Sequence, residues 1–186
     1  RMPLGKTPRS IFTTESVISD KGTTSTGSSD MYEYFKKDVF SNPKPIELIN
    51  FLIGFGVGKN DIVLDFFSGS ATTAEAVMQY NKDGDNVKYI LVQLAEDIDP
   101  VLKSTSANAK RIAKNAVTVL DEINKPHFIT ELAKERIRRA GKKIKEENTL
   151  TTQNLDIGFR VLKLDNSNMN DVYYNPAEYR QDLLSM

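Results

Sequence analysis

The chain has 186 residues, about the size of one domain and long enough to bury a core. Its 25 basic and 25 acidic residues balance, so no global field draws it onto nucleic acid or acidic lipid. It has no cysteine and a single histidine, His127 beside Pro126, which excludes disulfides, thiolate chemistry and a histidine-cluster metal site within this chain.

No apolar run is long enough to span a bilayer and no secretory pattern opens the sequence, so the expected setting is cytoplasmic, with no membrane partner. Residues 1–39 read as a flexible or loop-rich segment. Gly-Thr-Thr-Ser-Thr-Gly-Ser-Ser at 22–29 offers almost nothing to bury, and only Ile11-Phe12 and Val17-Ile18 provide anchors upstream of it. Next, Asn-Pro-Lys-Pro at 42–45 stiffens the backbone. Pro45 suits a first helical turn, and Ile46, Ile49, Leu52 and Ile53 have the spacing of a helix with one buried face. Lys44 is thereby held just before a helix, either as a solvated lysine or as a partner for an anionic group.

The stretch from Asp61 to Val77 organises the rest. Ile62 to Phe67, interrupted only by Asp65, reads as a fully buried strand. Ser68-Gly69-Ser70 is a small-residue turn. Thr72 and Glu75 have capping-box spacing at the start of a helix that continues through Ala74, Ala76, Val77 and Met78. A strand ending in a carboxylate, a tight turn and a helix N-terminus together describe a nucleotide-cofactor corner, and also an ordinary strand-to-helix turn. Tyr89 to Leu94 is a second apolar run with strand length, so the two strands and their helix form one parallel βαβ unit. Gln93 or Glu96, at the end of that run, can take a ribose hydroxyl pair or simply reflect loop polarity.

Two helices follow, Asn108–Ile123 and Ile129–Glu147. In the second, Ile129, Leu132, Ala133, Ile137, Ala140 and Ile144 form an apolar stripe, and Thr130 is a candidate cap. Lys134, Arg136, Arg138, Arg139, Lys142, Lys143 and Lys145 are assigned to the opposite face, read as solvated and laced with ion pairs. Asp156–Asp165 alternates and then shifts register at Leu162, the pattern of a bulged strand. An α/β unit over 40–165 is therefore expected, with residues 166–186 packing on it as a loop and short helix.

Asn-Pro-Lys-Pro at 42–45, Leu-Asp-Phe-Phe-Ser-Gly-Ser-Ala-Thr-Thr-Ala-Glu-Ala-Val at 64–77 and Tyr-Ile-Leu-Val-Gln-Leu-Ala-Glu at 89–96 resemble the modification subunit of type III restriction–modification systems. That family comprises DNA adenine methyltransferases of the beta class. Lys-Glu-Arg-Ile-Arg-Arg-Ala-Gly-Lys-Lys-Ile-Lys at 134–145 and Gly-Phe-Arg-Val-Leu-Lys-Leu-Asp at 158–165 are similar to the same subunit, so the resemblance covers nearly all of the chain from Phe40 on.

The resemblance implies an incomplete Rossmann-like α/β methyltransferase fold, a mostly parallel sheet of three main strands with flanking helices. It implies S-adenosylmethionine as cofactor. Lys44 would pair with its carboxylate and Asp65 with its ammonium. Phe67, Ser68, Gly69 and Ser70 would approach it closely, Thr72 and Thr73 would add hydroxyls and N–H groups, and Gln93 or Glu96 would hold the ribose. Implied partners are double-stranded DNA, a second methyltransferase subunit and the restriction (nuclease/helicase) subunit.

The sequence departs from the family at two places. Ala71 stands where Gly-Ser-Gly-Thr is usual, and its methyl is expected to crowd the ligand. The base-contacting Asp-Pro-Pro-Tyr motif is absent, and Asn175-Pro176-Ala177-Glu178 does not replace it. The expectation is a carboxy-terminal, cofactor-binding portion of a longer enzyme, catalytically silent alone, whose catalytic motif lies upstream of Arg1. Rival readings are a non-catalytic cofactor-sensing or assembly module, a dinucleotide-binding oxidoreductase domain that prefers NAD, and a related enzyme acting on the amino group of cytosine.

Overall fold

A computed structural model describes residues 21–147 and 152–165. Among the described residues, two strands, β1 (Ile62–Asp65) and β2 (Lys88–Leu91), pair in parallel with Asp65 opposite Leu91, and five helices accompany them. These are α1 (Thr24–Phe35), α2 (Ile46–Ile53), α3 (Thr72–Tyr80), α4 (Ala107–Glu122) and α5 (Ile129–Glu147). Short 3₁₀ turns at Asn81–Asp83 and Asp99–Lys103 connect them.

The helix boundaries follow local chemistry. Pro45 is the extended residue before α2, whose first N–H, on Ile46, donates to the Asp30 carboxylate at 3.0 Å. Ser106 caps α4 through Ala109 N at 3.3 Å. Thr130 falls inside α5. The expected loop at 22–29 is instead the start of α1. Thr23 and Thr26 form a reciprocal capping box, and Gly27, Met31 and Phe35, spaced by four, are its buried face. Small hydroxyl residues here start a helix whose buried stripe is only one residue wide.

Three apolar clusters make the interior. Met31, Phe35, Val39, Val119 and Leu120 join α1 to α4 and to Leu132 of α5. Ala71, Ala74 and Met78 pack with Ala133, Ile137, Ala140 and Ile144, joining α3 to α5. Ile53, Ala76, Val77 and Val87 close the side of α2. The apolar stripe expected on α5 is buried as read, apart from half-buried Ile129.

The sheet differs from the sequence expectation in two respects. The strands are not fully buried: Ile62 and Leu64 are 60 % and 58 % exposed, and Ile90 on β2 is 51 % exposed. Val63, Tyr89 and Leu91 face the helices instead, which is the alternation of a sheet with one face covered among the described residues. Asp156–Asp165 joins neither of the described strands. Ile157 and Phe159 pack against the α5 cluster, while Leu162 and Leu164 are exposed, so alternation here tracks contact with a helix rather than a ladder. The tail at 166–186, with Asn175-Pro176-Ala177-Glu178, lies outside the described residues.

His127 sits in the loop before α5, with its ring nitrogens 2.7 Å from Asp99 and 2.9 Å from Asp121. These hydrogen bonds raise its pKa above the ordinary imidazole value. No group of three or more potential metal ligands occurs among the described residues, and none of the described helices is long and apolar enough to cross a membrane.

Candidate functional site

The β1–α3 corner is held from three sides. The first is the end of β2. Val92 N donates to Asp65 O at 2.8 Å and Ser68 N to Val92 O at 3.2 Å, so the ladder runs past both strands and into the turn. Gln93 Oε1 accepts from Gly69 N at 2.9 Å. The second is Asp65 itself, half-buried at the end of β1. One carboxylate oxygen accepts from Phe67 N at 3.1 Å, the other from Thr73 Oγ1 at 2.6 Å.

The third side is a buried charge network from α5. Arg136 is 0 % exposed and Glu75 1 %. Arg136 Nε donates to Glu75 Oε2 at 3.0 Å. Its Nη1 donates to Ser70 Oγ (3.0 Å), Ser70 O (3.3 Å) and Thr72 Oγ1 (2.7 Å). Its Nη2 lies 2.9 Å from the same Glu75 oxygen, off the angle of a hydrogen bond. Tyr34 Oη donates to the other Glu75 oxygen at 2.5 Å. Burial raises the Glu75 pKa above the usual carboxylate range, opposed by the Arg136 guanidinium and the Tyr34 hydroxyl. Burial also pushes the Tyr34 hydroxyl far up, reinforced by the adjacent Glu75 charge.

Most of the residues read from the sequence as a site come together here. Asp65, Phe67, Ser68, Gly69, Ser70, Thr72, Thr73 and Gln93 share the corner. Lys44 is exposed and joins it through its carbonyl, which accepts from Thr72 Oγ1 at 3.1 Å. Glu96 is exposed and does not join it: its carbonyl accepts from Ile129 N at 3.0 Å, anchoring the start of α5. The Ser70 and Thr72 hydroxyls point inward to Arg136, so those two residues offer a ligand their backbone rather than their side chains. The expected Thr72–Glu75 capping box is absent. Ala71 occupies the N-cap position with no side-chain cap bond, and Glu75 turns into the core to meet Arg136.

Beside the corner lies an open groove of about 350 Å3. Leu52, Ile53 and Val57 wall it on the α2 side, and Val63, Phe67 and Thr73 on the other, with Asp65 as its only charged lining residue. Phe67 stands over it, 84 % exposed. An apolar trough ending in one carboxylate suits a ligand with an apolar body and a cationic group.

Residues 2–104, more than half of the chain, match the DNA methylase family. The chain belongs to the DNA methylase family. Membership implies a methyl-donor cofactor, and the two parallel strands with their helices are consistent with a methyltransferase-like α/β fold. Curated relatives include the Mod subunit of the type III restriction–modification enzyme StyLTI of Salmonella typhimurium. It is 36 % identical over 135 residues, 72 % of this chain and 18 % of the relative. The Mod subunit of the EcoPI enzyme of Escherichia phage P1 is 32 % identical over 159 residues, 84 % of this chain and 21 % of the relative. The chain thus spans about a fifth of the length of these relatives.

Sequence reasoning missed Arg136, Glu75 and Tyr34. The signal for Arg136 was present: it lies midway between Leu132 and Ala140 at helical i, i+4 spacing, on the apolar stripe itself. Glu75 sits among Ala74, Ala76 and Val77, all fully buried.

Ala71 stands at the N-cap of α3. Its backbone is left-handed (φ 61°, ψ 33°), a conformation that favours glycine. Its methyl is fully buried in the α3–α5 cluster, and Ala71 is not among the residues lining the groove. Ala71→Gly relieves about 1–2 kcal/mol of left-handed strain. It gives up about 0.8 kcal/mol of methyl burial and up to about 1 kcal/mol of unfolded-chain entropy. These terms nearly cancel, and the expected net change is within about 1 kcal/mol of zero. Urea unfolding checks this, and a loss above about 1 kcal/mol contradicts it.

Proposed function

We propose that this chain forms the methyl-donor-binding part of a DNA amino-methyltransferase of the type III restriction–modification kind. S-adenosylmethionine is the donor and the N6 amino group of adenine in duplex DNA the acceptor. The observation that carries this reading is the stitched β1–α3 corner beside an apolar groove whose only charged lining residue is Asp65, in a chain of the DNA methylase family.

The donor set fits such a ligand. Each Asp65 oxygen already holds one internal donor, which fixes the carboxylate and leaves a lone pair on each for a ligand ammonium. The Lys44 side chain, exposed at the start of α2, pairs with the ligand carboxylate. Gln93 spends its carbonyl oxygen on Gly69 N and keeps its amide N–H groups for ribose hydroxyls, which favours it over Glu96. Phe67 covers the adenosine side. The bound donor supplies an activated methyl group. The chain's residues bind and orient it, and positioning is the protein's main contribution to a direct displacement.

In the whole protein this unit belongs to a Rossmann-like methyltransferase fold. Its proposed partners are DNA, a second methyltransferase subunit and the restriction subunit; the relatives' names, Mod subunits of type III restriction–modification enzymes, support a multi-subunit setting. Alone, the 186 residues transfer no methyl group to DNA, because the sequence holds no Asp-Pro-Pro-Tyr motif.

Calorimetric titration with S-adenosylmethionine and with NAD tests the reading. S-adenosylmethionine is expected to bind at least tenfold more tightly. Asp65→Ala is expected to weaken it about 30-fold, equivalent to about 2 kcal/mol for a lost charge-assisted bond. Preference for NAD, or unchanged affinity in Asp65→Ala, overturns it.

A further inference from the structure

The family match ends at residue 104, and α5 begins at Ile129, so nothing in that match gives α5 a part in the site. Yet the side chain that grips the turn comes from α5. The guanidinium of Arg136 bonds residues on both sides of Ala71, namely Ser70 through its carbonyl and hydroxyl and Thr72 through its hydroxyl. The same hydroxyl of Thr72 reaches the carbonyl of Lys44, so the network runs from α5 through the turn to the Pro43–Pro45 segment that leads into α2.

Stability alone is a poor reason for this arrangement. A buried ion pair is commonly matched or bettered by apolar residues of similar volume. Arg136 lies on a stripe with Leu132, Ala140 and Ile144, where a leucine or methionine fits the pattern. What an apolar residue cannot do is donate to the Ser70 carbonyl and to the Ser70 and Thr72 hydroxyls at once. The guanidinium is a rigid fork, and Glu75, itself fixed by Tyr34, sets its orientation.

We propose that Arg136 is a positioning residue for methyl-donor binding: steered by Glu75, it fixes the left-handed bend at Ser70–Thr72 and so the edge that the turn presents to the groove. This rests on the donor reading above. Arg136 does not touch the ligand. It acts through the turn, so its loss loosens the turn before it unfolds the protein.

The test uses the full-length protein with Arg136→Lys, which keeps the charge beside Glu75 but replaces the fork with a single ammonium. Leu120→Ala is the control, a fully buried residue in the cluster that joins α1 to α4. Two quantities are read in each: the dissociation constant for S-adenosylmethionine, and amide hydrogen exchange of the ligand-free 68–73 peptide. Arg136→Lys is expected to bind at least tenfold more weakly and to exchange faster at 68–73. Leu120→Ala, although destabilised, is expected to bind within twofold of wild type and to keep its turn protected. A folded Arg136→Lys that binds within twofold of wild type overturns the proposal while leaving the donor reading intact. Wild-type protein that binds no S-adenosylmethionine overturns the donor reading and this proposal with it. Should Arg136→Lys fail to fold, Thr72→Val carries the test, since its described hydroxyl contacts are all internal. Fivefold or greater weakening supports the proposal, and affinity within twofold of wild type overturns it.

Discussion

Arg136→Met is expected to lose about 3–5 kcal/mol of stability, because it leaves the Glu75 carboxylate buried without its cation. The partners left behind explain the size. Glu75 is 1 % exposed, and Ser70 and Thr72 are also buried, so water cannot replace the guanidinium at any of its contacts. Glu75→Leu is expected to cost as much, since a buried guanidinium then has no anion. The double variant is expected to recover a large part of the sum, because an apolar pair of similar volume removes both desolvation costs. Urea unfolding of the four proteins forms a thermodynamic cycle, and a coupling energy below about 0.5 kcal/mol refutes the account. Surface pairs on the same helix behave differently. Arg139–Glu135 at 2.7 Å and Lys142–Glu146 at 3.7 Å are partly or largely exposed, in the range of about 0–1 kcal/mol each.

The second large effect is expected at Gly27. A Cβ placed there meets Pro43 O at 2.1 Å, Pro43 C at 2.8 Å and Lys44 C at 2.9 Å, all backbone atoms that cannot swing aside. Gly27→Ala therefore lifts α1 away from the Pro43–Lys44 segment and strips cover from Met31 and Phe35. The expected loss is about 3 kcal/mol, the upper end for overpacking. That corresponds to a fall in Tm of about 6–12 °C for a chain of this size. The neighbouring Ser28→Ala is expected to stay within about 0.5 kcal/mol of wild type. Because the displaced backbone carries Lys44, Gly27→Ala is also expected to weaken donor binding. A thermal melt within 2 °C of wild type contradicts the clash.

What was legible in the sequence was whatever a single periodicity or a proline determines. Pro45 and the spacing of Ile46, Ile49 and Ile53 placed α2, the two apolar runs placed β1 and β2 in parallel, and the stripe on α5 gave that helix its observed ends. Features decided by contact between distant segments were misread. The Ser/Thr-rich stretch at 22–29 looked unfoldable, because its contribution to the core is one glycine against a proline carbonyl. Thr72 and Glu75 had the spacing of a cap, but Glu75 is claimed by an arginine 61 positions later. Asp156–Asp165 alternates because it lies along a helix, and alternation alone does not specify a partner. At the corner itself, the carboxylate, the turn and Gln93 singled out from the sequence lie together, while the Thr72 hydroxyl expected at a ligand faces Arg136 of α5.

The reach of Arg136 also sets an order of events during synthesis. The turn that follows β1 leaves the ribosome long before the helix that grips it. At about 5–20 residues per second, the 61 positions between Glu75 and Arg136 take about 3–12 s to translate. Through that interval the nascent corner has its strand and its small residues but lacks the guanidinium that holds its bend. The corner is therefore completed by the carboxy-terminal side of this chain, and a ribosome stalled before α5 displays the motif in a form that has not yet set.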